Sequence, residues 1–264
     1  MKLITLTTDF GLQDPFVGIM KGVIYNINES ANIVDITHNI DNQDILEGAF
    51  VISQSYRYFP KGTIHVVVVD PGVGSSRRPI LVNASGHCFL GPDNGVLSFI
   101  IKEDPKPNIL ELTTEQYFLK GISSTFHGRD IFAPVAAWLS KGIEFHHFGH
   151  AISDYRKLDI PEIERGHGII KGKVIYIDRF GNIITNITHE DIDDIVKSGI
   201  STSDIRTRIA EVEITGIKKY YAEVNKGEPG TIINSFGLFE IYAYMDDAAK
   251  ALNVKKGISI EICF

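Results

Sequence analysis

The chain has 264 residues, 44% of them apolar and 22% charged, with 26 Lys plus Arg against 33 Asp plus Glu and a net charge of −7. At roughly 150 residues per domain this fits about two domains or one large one, able to bury roughly three quarters of its unfolded surface without a disulfide or metal. The acidic balance argues against a general nucleic-acid binder, which needs a basic footprint, and no apolar run approaches the ~20 residues of a membrane span. The opening MKLITLTTD lacks the apolar core of a signal peptide. Cys88 and Cys263 are the two cysteines, far apart and outside any metal-type spacing. They are expected to be free thiols in a reducing compartment, the cytoplasm.

Residues 2–8 (KLITLTT) predict an opening strand. Residues 15–30 begin with Pro15 and carry apolar residues near helical spacing. Residues 33–37 (IVDIT) predict a second strand, and residues 44–58 a helix with Asp44 as its N-cap. GTIHVVVVDPG is the strongest strand signal, β-branched, apolar on both faces and closed by Pro-Gly. PILVNA and HCFLGPDNG predict antiparallel additions with a turn at Pro-Asp-Asn-Gly. Residues 130–141 predict another helix, stopped by Gly142. Strands alternating with helices mean an α/β domain with a mainly parallel sheet, assigned to residues 1–155. Residues 156–168, charged and interrupted by Pro and Gly, are read as a linker. Residues 169–264 are β-rich segments separated by Gly and Asp turns, a smaller, mostly β domain of barrel or sandwich type.

In an open parallel sheet, ligands bind beyond the carboxyl ends of the strands. Four post-strand segments are therefore informative: Thr8-Asp9-Phe10-Gly11 with Asp14 beyond it, Asp70 to Arg78, Ser124 to Asp130, and Asp178 to Asn182. Gly72 and Gly74 allow backbone N–H groups to converge on an anion, but neither the Walker pattern nor G-x-G-x-x-G is present. Asp9, Asp14, Asp70 and His127 could in principle meet a divalent ion, without any H-x-H or H-E-x-x-H pair in support. The HHFGH run at 146–150 is read as solvated or capping. There is no G-x-S-x-G elbow for a serine hydrolase. Asp9 and Asp14 suit ribose hydroxyls, for which carboxylates are good acceptors. His127, among Thr, Gly, Arg and Asp before a helix, is a functional candidate; a lone His is more often structural.

Taken in order, TTDFGLQDPFVGIMKG, VVVVDPGVGSSRRPI, GPDNGVL, STFHGRDIFAPVAA, IDRFGNIITNI and NSFGLFEI span residues 7 to 241. This ordered set resembles the S-adenosylmethionine hydroxide adenosyltransferase family, relatives of the S-adenosylmethionine-dependent fluorinase and chlorinase. The resemblance implies a Rossmann-like N-terminal α/β/α domain, a barrel-like C-terminal domain, and a homotrimer with sites between subunits. It implies a catalytic triad of Asp70, Arg77 and His127, the Arg77 choice over Arg78 resting on its spacing from Asp70. It assigns Asp9, with Asp14 nearby, to the ribose hydroxyls, Asp178 to the methionine ammonium and Asn182 to the adenine edge. Ser235 is assigned to the methionine carboxylate and Tyr220 or Tyr221 to stacking on adenine. The fluorinase has Arg after that Ser, where this chain has Phe236. The halogenating relatives have Tyr in place of His127 and lack the charged triad. The fluorinase has Ser in place of Gly128, although the chlorinase shares the glycine.

The implied reaction is hydrolysis of S-adenosyl-L-methionine to adenosine and L-methionine, by water or hydroxide at the ribose C5′, with no metal or other cofactor. His127, with an ordinary pKa near 6.5, is expected to be a better proton acceptor than Asp70. Preorganised charge is expected to matter more than simple base catalysis. A chlorinase, a non-catalytic adenosine or S-adenosylmethionine binder and a metal-dependent phosphatase are the alternatives.

Overall fold

A computed structural model describes residues 2–264. Contacts divide them into a first unit ending at Leu158 and a second running from Asp159 to Phe264. The first unit runs β1 (Leu3–Thr8), α1 (Phe16–Ile27), β2 (Asn32–Thr37), α2 (Ile45–Ser55), β3 (Ile64–Val68), β4 (Pro79–Ala84) and β5 (His87–Pro92). It continues through α3 (Ser98–Glu103), β6 (Asn108–Leu112), α4 (Ala133–Ser140) and β7 (Gly149–Ala151). Among the described residues, its sheet has seven strands in the order β2-β1-β3-β5-β4-β6-β7.

The neighbours β2, β1, β3 and β5 are mutually parallel. The partners β4, β6 and β7 join antiparallel. Since β6 opposes β4, it runs with the parallel set, and the sheet is mainly parallel, as expected. HCFLGPDNG departs in detail: β5 pairs antiparallel with β4, yet parallel with β3. A hairpin strand thus completes the parallel core.

Side chains alternate across a strand with period two, and β3 uses both faces. Ile64, Val66 and Val68 join Met20 and Ile24 of α1 and Val135 and Ala136 of α4 in one core. Val67 and Val69 join Ile52, Tyr56, Phe89 and Ile100 in a second core on the opposite face. This gives the α/β/α layering. Each such aliphatic side chain contributes roughly 1.5–3 kcal/mol by leaving water. Helix α1 buries Val17, Met20 and Ile24, one helical stripe, of which Met20 and Ile24 join the first core. Asp44 caps α2 by accepting from the Glu47 amide at 2.9 Å.

The second unit runs β8 (Glu164–Gly166), β9 (Ile169–Ile177), β10 (Ile183–Thr188), α5 (His189–Lys197), β11 (Arg206–Ile209), β12 (Val212–Thr215) and β13 (Ile217–Lys218). It ends with β14 (Pro229–Ile233), β15 (Leu238–Ala243), α6 (Ala248–Ala251) and β16 (Ser259–Cys263). Strand order is β12-β11-β16-β9-β10-β15-β14-β13, with β8 paired to β9. The two ends of that order, β12 and β13, are consecutive in the chain, joined at Gly216. Thr231 Oγ1 on β14 donates to the Gly216 carbonyl at 2.9 Å. The sheet therefore curls into a nearly closed barrel around Ile183, Ile187, Ile209, Phe239, Ile241, Ile260 and Ile262. Among the described residues no helix is long and apolar enough to cross a membrane.

Candidate functional site

Strand β3 ends two residues before Asp70, at the carboxyl edge of the parallel core. The chain then turns back through Gly72 and Gly74 and brings Arg77 onto Asp70. Arg77 Nε donates to Asp70 Oδ1 at 2.9 Å, and Arg77 Nη2 donates to Asp70 Oδ2. Nη2 also donates to His127 Nδ1 at 2.7 Å. The Arg77 and Asp70 side chains are 4% and 5% exposed. The turn depends on Gly74, which has φ +76; a Cβ there would fall 2.0 Å from the Ser124 carbonyl oxygen. The 70–78 loop thus lies directly against the loop that carries His127.

Arg78 points elsewhere. Its Nε and Nη2 donate to Asp93 Oδ2 at 3.0 and 2.7 Å, and its Nη1 to Asp154 Oδ1 at 2.7 Å. Asp93 Oδ1 accepts from the Arg156 amide at 2.7 Å. Arg78 is a clamp on the 154–156 segment, and Arg77 alone of the pair reaches Asp70.

His127 opens a π-helical turn, Gly128–Phe132, that leads into α4. The predicted helix at 130–141 therefore starts with a widened turn, a feature that often marks functional sites. A guanidinium only donates, so His127 Nδ1 accepts, and the neutral ring carries its proton on Nε2. Burial lowers the His127 pKa below its ordinary value, and the Arg77 charge adds to this; Asp70 and Asp130 partly oppose both. The expectation that His127 is the better proton acceptor meets a physical obstacle: the lone pair of the neutral ring is engaged by Arg77. Both Asp70 oxygens are likewise held by Arg77. The arrangement fixes charge and orients donors.

Beside it lies a cavity of about 170 Å3 lined by Phe10, Phe16, Val68, Asp70, Val73, Thr125, Phe126, His127 and Gly128. The rings of Phe10, Phe16 and Phe126 meet edge to face, with centroids 5.3–5.9 Å apart. A Cβ at Gly128 would sit 3.1 Å from the Phe126 ring and 3.3 Å from Met20 Sδ. A serine there would require the wall to shift. Asp9 follows β1 and accepts from the Gln43 amide at 2.9 Å. Neither Asp9 nor Asp14 is in the cavity lining, and Asp14 is exposed in the turn before α1.

The second unit has its own cavity, of about 590 Å3, lined by Asp178, Phe180, Asn182, Tyr221, Ala243, Tyr244, Met245 and Asp246. Asp178 and Asn182 bracket the β9–β10 turn. Asp178 Oδ1 accepts from the Phe180 and Asn182 amides at 2.9 Å each, and Oδ2 from Asn182 Nδ2 at 3.0 Å. Gly181, φ +84, lies so close to Asp247 that a Cβ would fall 2.1 Å from its carboxylate oxygen. Tyr221 reaches the cavity and donates through its hydroxyl to Glu240 Oε1 at 3.0 Å. Tyr220 and Ser235 are exposed and outside this lining.

Glu240, absent from the sequence reading, is 3% exposed and also accepts from Asn234 Nδ2 at 3.0 Å. Burial raises its pKa, with Asp178 acting in the same direction. A glutamate among apolar strand residues is the signal that marks it. Glu144, His146 and His147 bring ligand-type atoms within 4.8 Å of one another, but all three are exposed on a short helical turn.

Comparison with known proteins agrees with this division. Residues 4–149 match the model of the SAM hydroxide adenosyltransferase N-terminal domain, and residues 172–261 that of the C-terminal domain. The chain is 37% identical to the (R)-S-adenosyl-L-methionine hydrolase of Methanocaldococcus jannaschii, covering 100% of this chain and 97% of that protein. It is 25% identical to a fluorinase of an Actinoplanes species, over 98% and 97%. The crystal structure of an uncharacterised conserved protein from Thermotoga maritima superposes with a TM-score of 0.92 at 36% identity, over 99% and 100% of the two chains. Two domain models in the order of the two units, together covering most of the sequence, mean that this chain belongs to the SAM hydroxide adenosyltransferase family.

Proposed function

We propose that the chain hydrolyses S-adenosyl-L-methionine at the ribose C5′, giving adenosine, L-methionine and a proton. The observation that carries this reading is the buried Asp70–Arg77–His127 hydrogen-bond network on an aromatic-walled cavity. A sulfonium is already an activated leaving group, so displacement needs no acid at sulfur and no redox cofactor. Water attacks C5′ opposite sulfur, and its second proton is lost to solvent as the C5′–O bond forms and the C5′–S bond breaks. Approach of a hydroxide-like nucleophile to a sulfonium brings opposite charges together, which an aromatic, water-poor pocket favours. Arg77 stabilises the developing negative charge on the nucleophile. Asp70 holds the guanidinium in place, and the His127 Nε2–H is a donor that orients water.

In the same proposal Asp9, with Asp14, takes the ribose hydroxyls. Asp178 takes the methionine ammonium and Asn182 the adenine edge. Tyr221 or Tyr220 stacks on adenine and Ser235 contacts the carboxylate. The relatives' name specifies the (R) sulfonium, and that epimer is the preferred substrate of this reading. A homotrimer with sites shared between subunits, and residence in the cytoplasm, belong to it as well. Halide chemistry is the second reading; a serine at 128 would crowd Phe126 and Met20, and this chain keeps glycine there.

The test is a chromatographic assay of both sulfonium epimers in 18O-labelled water, with and without chloride and chelator, beside His127→Ala. Adenosine labelled at its 5′-oxygen, formed without halide or added metal and lost in the variant, is expected. A halogenated nucleoside moves the chain to halide chemistry. Nucleoside binding without turnover leaves a binding protein.

A further inference from the structure

The loop that carries His127 is held from behind by one buried carboxylate. Asp130 is 2% exposed. Its Oδ2 accepts from Ser123 N at 2.8 Å, from Ser123 Oγ at 2.7 Å and from Arg129 Nη2 at 3.0 Å. Its Oδ1 accepts from Arg129 Nε at 2.6 Å. Ser123 Oγ accepts in turn from the Phe126 amide at 3.2 Å. The two ends of segment 123–130 are thereby tied together, with Phe126 and His127 between them. Arg129 also lies over the Phe126 ring, 5.3 Å from its centroid. The cavity is lined by Thr125 to Gly128, while Ser123, Arg129 and Asp130 stay outside its lining.

A buried carboxylate is costly unless its lone pairs are used, and four donor contacts use these. The loop consequently has one low-energy arrangement, and that arrangement turns His127 Nδ1 toward Arg77. The bond between them is sensitive to small displacements, because the same Nη2 also serves Asp70. We propose that Asp130 is a positioning residue, which sets the distance and the tautomer of His127 against Arg77 through the 123–130 loop. This rests on the reading of that site as the reacting centre. The charged groups facing His127 are Arg77 and Asp70 from the 70–78 loop and Asp130 from its own turn, and the uncharged Ser123 backbone hydrogen-bonds to its ring.

The experiment combines 15N NMR of the His127 ring with steady-state kinetics on Asp130→Ala, Asp130→Asn and Ser123→Ala. The unmodified protein is expected to show an unprotonated Nδ1 and a protonated Nε2. Asp130→Ala is expected to mix the two tautomers and to lower kcat about 100-fold, the scale of a 1 Å misplacement. KM is expected to stay within about threefold, as for an interaction felt only in the transition state. Asp130→Asn keeps one acceptor for Ser123 and is expected to recover at least about tenfold of that loss. If Asp130→Ala does not fold, Ser123→Ala is expected to show the same tautomer mixing. A folded Asp130→Ala with an unchanged ring spectrum and unchanged kcat overturns the proposal, since a merely structural residue would lower only the melting temperature. If no variant and no parent turns over S-adenosylmethionine, the functional reading fails, and the ring spectra still decide the role of Asp130.

Discussion

Two adjacent arginines divide the work of the first unit. Arg77 binds Asp70 through Nε and Nη2 and His127 through Nη2, which leaves its buried Nη1 without a partner among the described residues, whereas Arg78 binds Asp93 and Asp154. A guanidinium can hold a carboxylate with two N–H groups and a third acceptor at once; an ammonium cannot reproduce that planar fork. Arg77→Lys is therefore expected to lower kcat by about 100- to 1,000-fold, the cost of losing a preorganised donor. Arg78→Lys is expected to lower the melting temperature by several degrees, roughly 1–2 kcal/mol for a partly exposed clamp, and to change kcat by less than about threefold. Equal losses of activity in the two variants would show that the division is wrong. His127 belongs to the same scale. Its pKa is depressed by burial and Arg77, so it stays neutral through pH 7 and keeps its lone pair on the guanidinium.

At the scale of elements, the site depends on a turn, a widened helix start and a strand end. Gly74 permits the return of the 70–78 loop at positive φ and at close approach to Ser124. Gly74→Ala combines a strained backbone with a Cβ placed inside the van der Waals radius of a carbonyl oxygen. The two loops must then part, and Arg77 moves away from His127. The variant is expected to lose about 1–3 kcal/mol of stability in urea titration and most of its kcat, even where it remains folded. A stable Gly74→Ala with full kcat would mean that the loop contact does not set the catalytic geometry. Helix α5 shows how local signals are missed. Its stripe is just Ile192 and Ile195 among charged residues, yet Thr188 and Asp191 form a complete capping box. The box was readable in Thr-His-Glu-Asp; the short apolar stripe did not draw attention to it.

At the scale of the whole molecule, burial couples folding to pH through histidines far from the cavity. His65 lies on β3 beneath Tyr56 and stacks on Phe89. Its Nδ1 meets Thr5 Oγ1 at 2.7 Å, and its Nε2 meets His87 Nδ1 at 3.3 Å. Burial, with the neighbouring His87 adding to it, pushes the His65 pKa down to about 3. In the unfolded chain the imidazole titrates near 6.5. Below that pH the unfolded state takes a proton that the folded state refuses. The stability His65 contributes is present above pH 6.5 and is lost as the pH falls toward 3. Between pH 7.5 and 5 the loss from this group amounts to about 2 kcal/mol. Urea unfolding at those two values, for the parent and for His65→Asn, checks this. The variant is expected to start less stable and to lose about 2 kcal/mol less over the interval. Parallel pH dependences would remove His65 from the explanation.

The alternation of β-branched strands with amphipathic helices up to about residue 141, and the Gly-punctuated β segments after 169, determined the two architectures, because periodicity reports which faces are buried. Asp44 was legible as a cap and Asp70 and His127 as candidates because they flank a helix start or a strand end; Asp70, Arg77 and His127 as a group were legible only through the family resemblance. Which of two arginines turns inward was settled in space, by Asp70 on one side and the Asp93–Asp154 pair on the other. Closure of the second sheet needed β12 and β13, consecutive in sequence, to pair with strands at opposite ends of the order. Asp93 was invisible as a support because its donors, Arg78 and the Arg156 amide, lie far along the chain; Asp130 takes its donors from the nearby Ser123 and Arg129, but only the folded loop shows that they converge on it. The tautomer of His127 was decided only by the guanidinium brought to its Nδ1, fifty residues away along the chain.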